Sequence, residues 1–315
     1  MNQPLVSVVT PFHNTAKYLA QCIESVLGQT YEHFEYILVN NCSTDGAGDI
    51  AESLARRDSR IRIIHRSKLL SQVQNYNAAL AEISPESKYC KIVQADDYIF
   101  PDCLKLMVRA FEQSDSIGLV SACWLKGETV CGSELPHQMT QLKGTEMARL
   151  YLQEGVYVFG SPTTVMYRSS SVRAQNPFFD ETLLHEDTEK CMQILREWDF
   201  GFVHQVLSAL RLGNESISSS FRTFCPQALD WYIITRRYAG VFLAPADALA
   251  SRRDAKHQYY SVLARQALRF RNRTFWESKL EVFSLVISTM SEKEQTLIAG
   301  CLRSEKAAWD SFVLQ

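Results

Sequence analysis

The chain has 315 residues, enough to bury a sizeable core in one large domain or two modest ones. Its 33 Lys and Arg against 35 Asp and Glu leave a formal net charge of -2, which argues against a nucleic-acid partner. Nine cysteines without a CxxC pair read as small buried hydrophobes in a reducing compartment rather than as a zinc site. No basic-then-apolar leader and no membrane-length apolar run stands out, so the expectation is a soluble, cytoplasmic protein, with peripheral contact at the inner face of a membrane left open.

Residues 5–10 form a β-branched run ending at Pro11 and predict a buried strand. Thr15 suits a helix N-cap, and Leu19, Cys22, Ile23, Val26 and Leu27 follow at helical spacing. Residues 34–39 (FEYILV) predict a second strand, and a helix over 50–55 follows the break at Asp45-Gly46. A third strand is expected over 61–64, a helix over 73–83, and a fourth strand over 89–93 that runs into Gln94-Ala95-Asp96-Asp97. Pro101 fits the first turn of a helix that buries Leu104, Met107, Val108 and Phe111, before a fifth strand over 117–123. Beyond Gly144 the pattern predicts a helix over 145–153, an alternating strand over 157–167 and an amphipathic helix over 186–198. After about residue 221 strand signals fade, and helices are expected over 228–238, 255–271, 275–290 and 292–302. The reading is a doubly wound, mostly parallel α/β sheet with helices on both faces over residues 1–220, then a helical region over 221–315.

In such sheets ligands bind beyond the C-terminal ends of the strands. Three polar clusters fall there: residues 11–14, 40–45 and 94–97. Adjacent carboxylates at Asp96-Asp97 suit a hard divalent cation, or else a turn that caps the next helix. Asn40, Asn41 and Asp45 could read a base and ribose, or form an Asx turn. Glu186-Asp187 could supply a general base, or simply complement a helix dipole. Arg211 could meet a diphosphate and His204 a metal or phosphate, although a lone His is more often structural. No GxGxxG follows the first strand, and no GxxxxGK[ST], HExxH or GxSxG occurs, so dehydrogenase, P-loop and serine-hydrolase readings lack their markers.

The order of these pieces is more specific than any one of them. VSVVTPFHNTAKYLAQCIESVLGQTYEHFEYILVNNCSTDG, then QNYNAAL, IVQADDYIFPD, FFDETLLHEDTEKCMQILR and GFVHQVLSALRLGNESIS resemble the successive segments of family-2 inverting glycosyltransferases, over residues 5 to about 220. The resemblance implies a GT-A type fold, a nucleoside-diphosphate sugar donor and a Mg2+ or Mn2+ cofactor. It places Thr10, Pro11 and Asn14 in the base pocket and Asn75 in the QNYNAAL segment. Asp96 would face the ribose or diphosphate, Asp97 the metal, and Asp187 would be the general base of a single inverting displacement. The acceptor would be a glycan or a lipid-linked hydroxyl, in glycan or surface polysaccharide synthesis.

The chain departs from the family's pattern in two places. Asn40 and Asn41 stand where an Asp commonly contacts the base, and Gln94 where an acid often opens the DxD motif. An amide both donates and accepts where a carboxylate only accepts, so the base stays open. These losses motivate the competing reading of a non-catalytic nucleotide-sugar-binding or partner module. A nucleotidyltransferase is a third reading, weakened because PFHNTAKY lacks a Gly-rich basic loop.

Overall fold

The computed structural model describes residues 3–181, 186–212 and 226–269. In chain order the elements are β1 (Val6–Phe12), α1 (Ala16–Leu27), β2 (Phe34–Asn40), α2 (Ala47–Ala55), β3 (Ile61–His65), α3 (Gln72–Leu80), β4 (Tyr89–Ile92), β5 (Tyr98–Ile99), α4 (Cys103–Phe111), β6 (Ile117–Lys126), β7 (Thr129–Cys131), β8 (Gln141–Leu142), α5 (Gly144–Arg149), β9 (Met166–Arg168), α6 (Ser169–Arg173), α7 (Glu186–Ile194), β10 (Asp199–Leu210), α8 (Pro226–Phe242) and α9 (Pro245–Arg269). A single mixed sheet runs β3-β2-β1-β4-β9-β6-β10-β5, with β7 added on β6 and β8 on β10. The β3-β2-β1-β4 half is parallel throughout, and so is the β6–β10 pair, whereas β9 lies antiparallel between β4 and β6.

Every residue of β1 is buried, because helices cover both faces of the sheet. The period-2 pleat then splits the strands between two cores. Val6 and Val8 join Leu38, with Leu19, Ile23 and Val26 of α1 and Leu104, Met107 and Phe111 of α4. Val9 joins Ile37, Val39 and Ile92 on the opposite face, with residues of α3, α5, α7 and α8. The Ser-Val-Leu-x-Gln-Thr motif at the end of α1 has a structural explanation. Gln29, almost fully buried, donates to the Ser25 and Phe100 carbonyls and accepts from the Leu104 N–H, which fixes α1 against the start of α4.

Two expectations are corrected. The strand expected over 157–167 is reduced to β9, because Gly160 takes a φ of 68° and Pro162 can give no ladder hydrogen bond. The helix expected over 186–198 ends at Ile194. A central strand, β10, follows at once, and its parallel pairing with β6 is broken by register shifts around Val206. In the C-terminal region α8 and α9 are longer than the expected 228–238 and 255–271 runs. Ile234, Tyr238, Ala239 and Phe242 of α8 belong to the same core as the sheet. The proposed boundary near residues 213–224, and the helices expected over 275–290 and 292–302, lie outside the described residues. No described helix is long and apolar enough to cross a membrane.

Candidate active site

Parallel register brings the strand ends level: Phe12 pairs with Asn40 and Asn40 with His65, while Val9 pairs with Ile92 two residues before Gln94. The loops that leave these ends are sewn together. Asn14, in the left-handed region at φ 49°, accepts the Thr44 N–H on its side-chain oxygen, and its own N–H donates to Ser43 Oγ. Asp45 accepts the Ala16 N–H on one carboxylate oxygen and the Ala47 N–H on the other, so one side chain caps both α1 and α2. Thr15, expected as the cap of α1, makes no side-chain capping bond. Asn40 accepts the Ser43 N–H and contacts His65 Nδ1, while Asn41 exchanges both amide bonds with the backbone of Leu70. Both asparagines are buried and hold this rim in shape. Thr10 is fully buried below the rim, with its hydroxyl on Tyr36 Oη at 2.9 Å and facing α1, so its side chain does not line a pocket wall as expected. Pro11 follows it in β1 and is likewise buried.

The second group stands on the turn between β4 and β5. Asp97, 4% exposed, accepts the Thr163 hydroxyl at 2.7 Å and the Arg211 N–H at 3.2 Å. Burial and then the Asp96 charge push its carboxyl well above the usual range, while those two contacts pull it down. Burial also raises Asp96, against a lowering contribution from the Arg211 charge. The Arg211 guanidinium lies over the rings of Tyr18 and Tyr98, at 5.1 and 5.2 Å, and donates to Gln21. Gln94, where an acid was expected, donates to Tyr76 Oη at 2.8 Å, and its N–H donates to Thr163 Oγ1 at 3.0 Å. The loop bearing Thr163 is tied down from below by Lys91, whose fully buried ammonium donates to the Thr163 and Val165 carbonyls.

The third group is the first turn of α7. Glu186 is 6% exposed, and burial with the neighbouring Asp187 charge pushes its carboxyl up to about 8. Asp187 accepts the Thr188 N–H, and Thr188 Oγ1 lies 3.1 Å from Tyr157 Oη. Tyr157 in turn donates to the Gly160 carbonyl. The 157–165 loop thus touches the Asp187 turn at one end and Asp97 at the other. Tyr76 lies close by, its buried phenol bonded to Gln94 and Gln72 and pushed up by burial and then by the Glu186 charge. Asn75 beside it is buried with its side-chain oxygen unpartnered.

The site therefore gathers Asn14, Asn40, Asn41, Asp45, Asp96, Asp97 and Arg211 around the strand ends, and connects Asp187 to them through one loop. His204 is not brought there. It contacts the Met139 carbonyl and packs against His137 and Phe202. Along an extended strand it stands about 20 Å from Arg211, too far to share a ligand with Asp97. Thr163, Tyr157, Tyr76 and Lys91 belong to the site and were not singled out by the sequence. Their only sequence signal was that polar residues interrupt otherwise apolar runs.

A twisted sheet with acids and amides at its strand ends defines a GT-A type transferase fold. The chain belongs to glycosyl transferase family 2, which matches residues 7–174. It is 34% identical over 112 residues to the glycosyltransferase GlyG of Streptococcus pneumoniae, covering 36% of each chain. It is 29% identical over 202 residues to the uncharacterized glycosyltransferase EpsJ of Bacillus subtilis, covering 62% of this chain and 57% of that one. The chain thus spans between about a third and just over half the length of these relatives. Among solved structures, S. aureus TarS 1–349 in complex with UDP-GlcNAc is similar at a TM-score of 0.60 and 19% identity, over 81% of this chain and 72% of that one. Mannosyltransferase PcManGT from Pyrobaculum calidifontis, in complex with GDP-Man and Mn2+, is similar at a TM-score of 0.57 and 14% identity, over 99% of this chain and 84% of that one. At such identities the likeness is one of fold.

Proposed function

We propose that the chain is a glycosyltransferase that moves a sugar from a nucleoside-diphosphate sugar to an acceptor hydroxyl in a single inverting displacement, within glycan or surface polysaccharide synthesis. The observation that carries this is the joining of two acidic pairs, Asp96-Asp97 and Glu186-Asp187, each with one buried member, through the 157–165 loop, which meets Asp97 at Thr163 and the Asp187 turn at Tyr157. Solved neighbours of the same fold hold UDP-GlcNAc and GDP-Man, which supports a nucleotide-sugar donor.

The donor set at Asp96-Asp97 fits a hard cation, since the Asp96 charge beside the buried Asp97 carboxyl disfavours two bare carboxylates there and hard oxygen donors suit Mg2+ or Mn2+. Among the described residues no group of three or more His, Cys, Asp or Glu converges, so the donor's phosphates would complete the coordination. When bound, the cation neutralises the departing diphosphate. Arg211, with its guanidinium between two tyrosine rings, places a fixed positive charge beside the same oxygens. Asn14, Asn40, Asn41, Asp45 and Asn75 shape the rim on which base and ribose rest. Asp187 takes the proton of the acceptor hydroxyl. Glu186, protonated at neutral pH, keeps a second negative charge away from that base.

The test is a thermal-shift panel of UDP, GDP, dTDP and CDP with and without Mn2+, followed by nucleoside-diphosphate release from the matching sugar donor. A nucleotide at about 100 times its Kd adds about 2.7 kcal/mol. One nucleotide should give a Mn2+-dependent shift that Asp97→Asn loses, and Asp187→Asn should bind that nucleotide yet release none. No shift with any nucleotide would remove the transferase reading. The amides at Asn40, Asn41 and Gln94 favour one rival, a nucleotide-sugar-binding module without catalysis, in which Asp187→Asn changes nothing measurable.

A further inference from the structure

The C-terminal helix α8 holds α7 through Glu189, two residues from Asp187. Glu189, 7% exposed, accepts the Tyr238 hydroxyl at 2.6 Å and an Arg237 guanidinium N–H at 3.2 Å. The same Arg237 nitrogen lies 3.3 Å from Asp180 Oδ2. Asp180 precedes and Glu189 follows Glu186 and Asp187 in the chain, so one guanidinium nitrogen holds a carboxylate on either side of them in sequence. The anchor itself is firm. Tyr238 is buried, and Ile234, Ala239 and Phe242 of the same helix lie in the sheet's core.

Helix geometry makes the grip directional. Successive residues turn by about 100°, so Glu189 and Asp187, two apart, project from nearly opposite sides of α7. Holding Glu189 against α8 fixes which side of α7 meets the loop that reaches Asp97, where Thr188, next to Asp187, contacts Tyr157. Lys190 adds a tie to Gln175 at 2.7 Å, but this joins α7 to the turn after α6, not to α8. The Glu189 contacts therefore tie the C-terminal region to the helix that carries Asp187.

We propose that Arg237 and Tyr238 are positioning residues that set the rotation of α7 and hence the reach of Asp187. This rests on the reading of Asp187 as the base. It assigns to the helical region a role in the chemical step, separate from any contact with acceptor.

The experiment compares wild type, Arg237→Met, Arg237→Lys and Tyr238→Phe in the full chain. Hydrogen exchange follows peptides over Glu186–Ile194, thermal shift with Mn2+ and nucleotide reports the donor site, and UDP or GDP release from UDP-GlcNAc or GDP-mannose reports turnover. In Arg237→Met, exchange over α7 should quicken, nucleotide binding should persist, and kcat should fall roughly ten- to a hundredfold with donor KM unchanged, as a misplaced reacting group predicts. Arg237→Lys should recover part of the loss, because it keeps the charge but not the planar guanidinium's fixed donor directions. Tyr238→Phe keeps the ring packing and should show a smaller loss of the same kind. Unchanged exchange over α7 overturns the proposal, and so does unchanged kcat. Loss of nucleotide binding in step with kcat overturns it too, since that marks general destabilisation. Asp187→Asn in parallel separates the two ideas. An active Asp187→Asn sinks the base assignment, whereas an inactive Asp187→Asn beside a fully active Arg237→Met sinks only the clamp.

Discussion

Asp97 is held by opposing influences, and the Thr163 hydroxyl offsets part of what burial and Asp96 impose. Burial and the Asp96 charge favour its protonated form, while the Thr163 hydroxyl and the Arg211 N–H favour the carboxylate that a cation needs. Thr163→Val keeps the shape and removes the donor. A hydrogen bond to a charged group contributes about 1.5–3 kcal/mol, so the Mn2+ concentration that half-saturates the nucleotide-dependent thermal shift should rise roughly tenfold or more at pH 7. The gap should narrow at pH 9, where protons no longer compete for the carboxylate. An unchanged Mn2+ midpoint would show that Thr163 does not tune the pair. Glu186 gives a second prediction at this scale. Its folded carboxyl is raised to about 8 by burial and the Asp187 charge, well above the ordinary glutamate range. The folded state therefore binds the proton more tightly than the unfolded chain. That stability is fully present below the ordinary range and is lost as pH climbs through about 8. Glu186→Gln should match wild type near pH 5 and melt several degrees above it near pH 9, because a buried charge is no longer formed. Equal melting curves at both pH values would contradict this. The acids of this site were legible in the sequence because adjacent carboxylates at the ends of apolar runs are conspicuous. Thr163 and Tyr157 were not, because nothing local to them says which distant carboxylate or helix they will meet.

The 157–165 loop is the element that joins the two acidic pairs, and it depends on one backbone conformation. Gly160 sits at φ 68°, and a Cβ there would lie 2.4 Å from Thr164 Oγ1. Thr164 cannot easily yield, since its hydroxyl is held by the Ser161 N–H and carbonyl as well as by Phe159. Gly160→Ala should therefore cost about 1–3 kcal/mol of backbone strain in addition to the clash. Its effect on sugar transfer should exceed its effect on stability, because Tyr157 and Thr163 lie on either side of the displaced turn. A denaturation midpoint and a turnover number measured on the same preparation decide this, and proportionate losses would argue that the loop is only packing. Strand-like alternation hid this loop in the sequence, because alternating burial also arises where a turn lies against a core. The parallel half of the sheet was readable for the opposite reason. Val6, Val8 and Leu38 are buried on one face and Val9 and Ile37 on the other, so continuous apolar runs with short helical spacers leave few other solutions. Strand β10 escaped because its bulges around Val206 disturb the two-residue period, although its pairing with β6 forms the middle of the antiparallel-flanked half.

At the scale of the molecule, the sequence divides into an α/β part and a helical part, and α8 packs both ways, into the sheet's core and against α9. Ile234 and Tyr238 of α8 share a core with Phe200 of β10 and Leu195 just past α7, and Trp231 meets Tyr151 edge to face at 4.9 Å. Composition changes where strand signals stop, whereas cooperativity follows buried contact, and the shared core predicts that α8 unfolds with the sheet. Ile234 is 2% exposed, so Ile234→Ala leaves a cavity and should cost about 2–5 kcal/mol. The loss should appear in the unfolding of the sheet itself. Far-UV dichroism, tryptophan emission and loss of Mn2+-dependent nucleotide binding should shift together to lower urea, with one midpoint. A separate helical unit predicts a different result: an early transition for part of the dichroism, with nucleotide binding lost at the wild-type midpoint. Coincident transitions would also explain why a clamp from α8 can govern a residue on α7, since a helix that unfolded on its own could not hold the other in place.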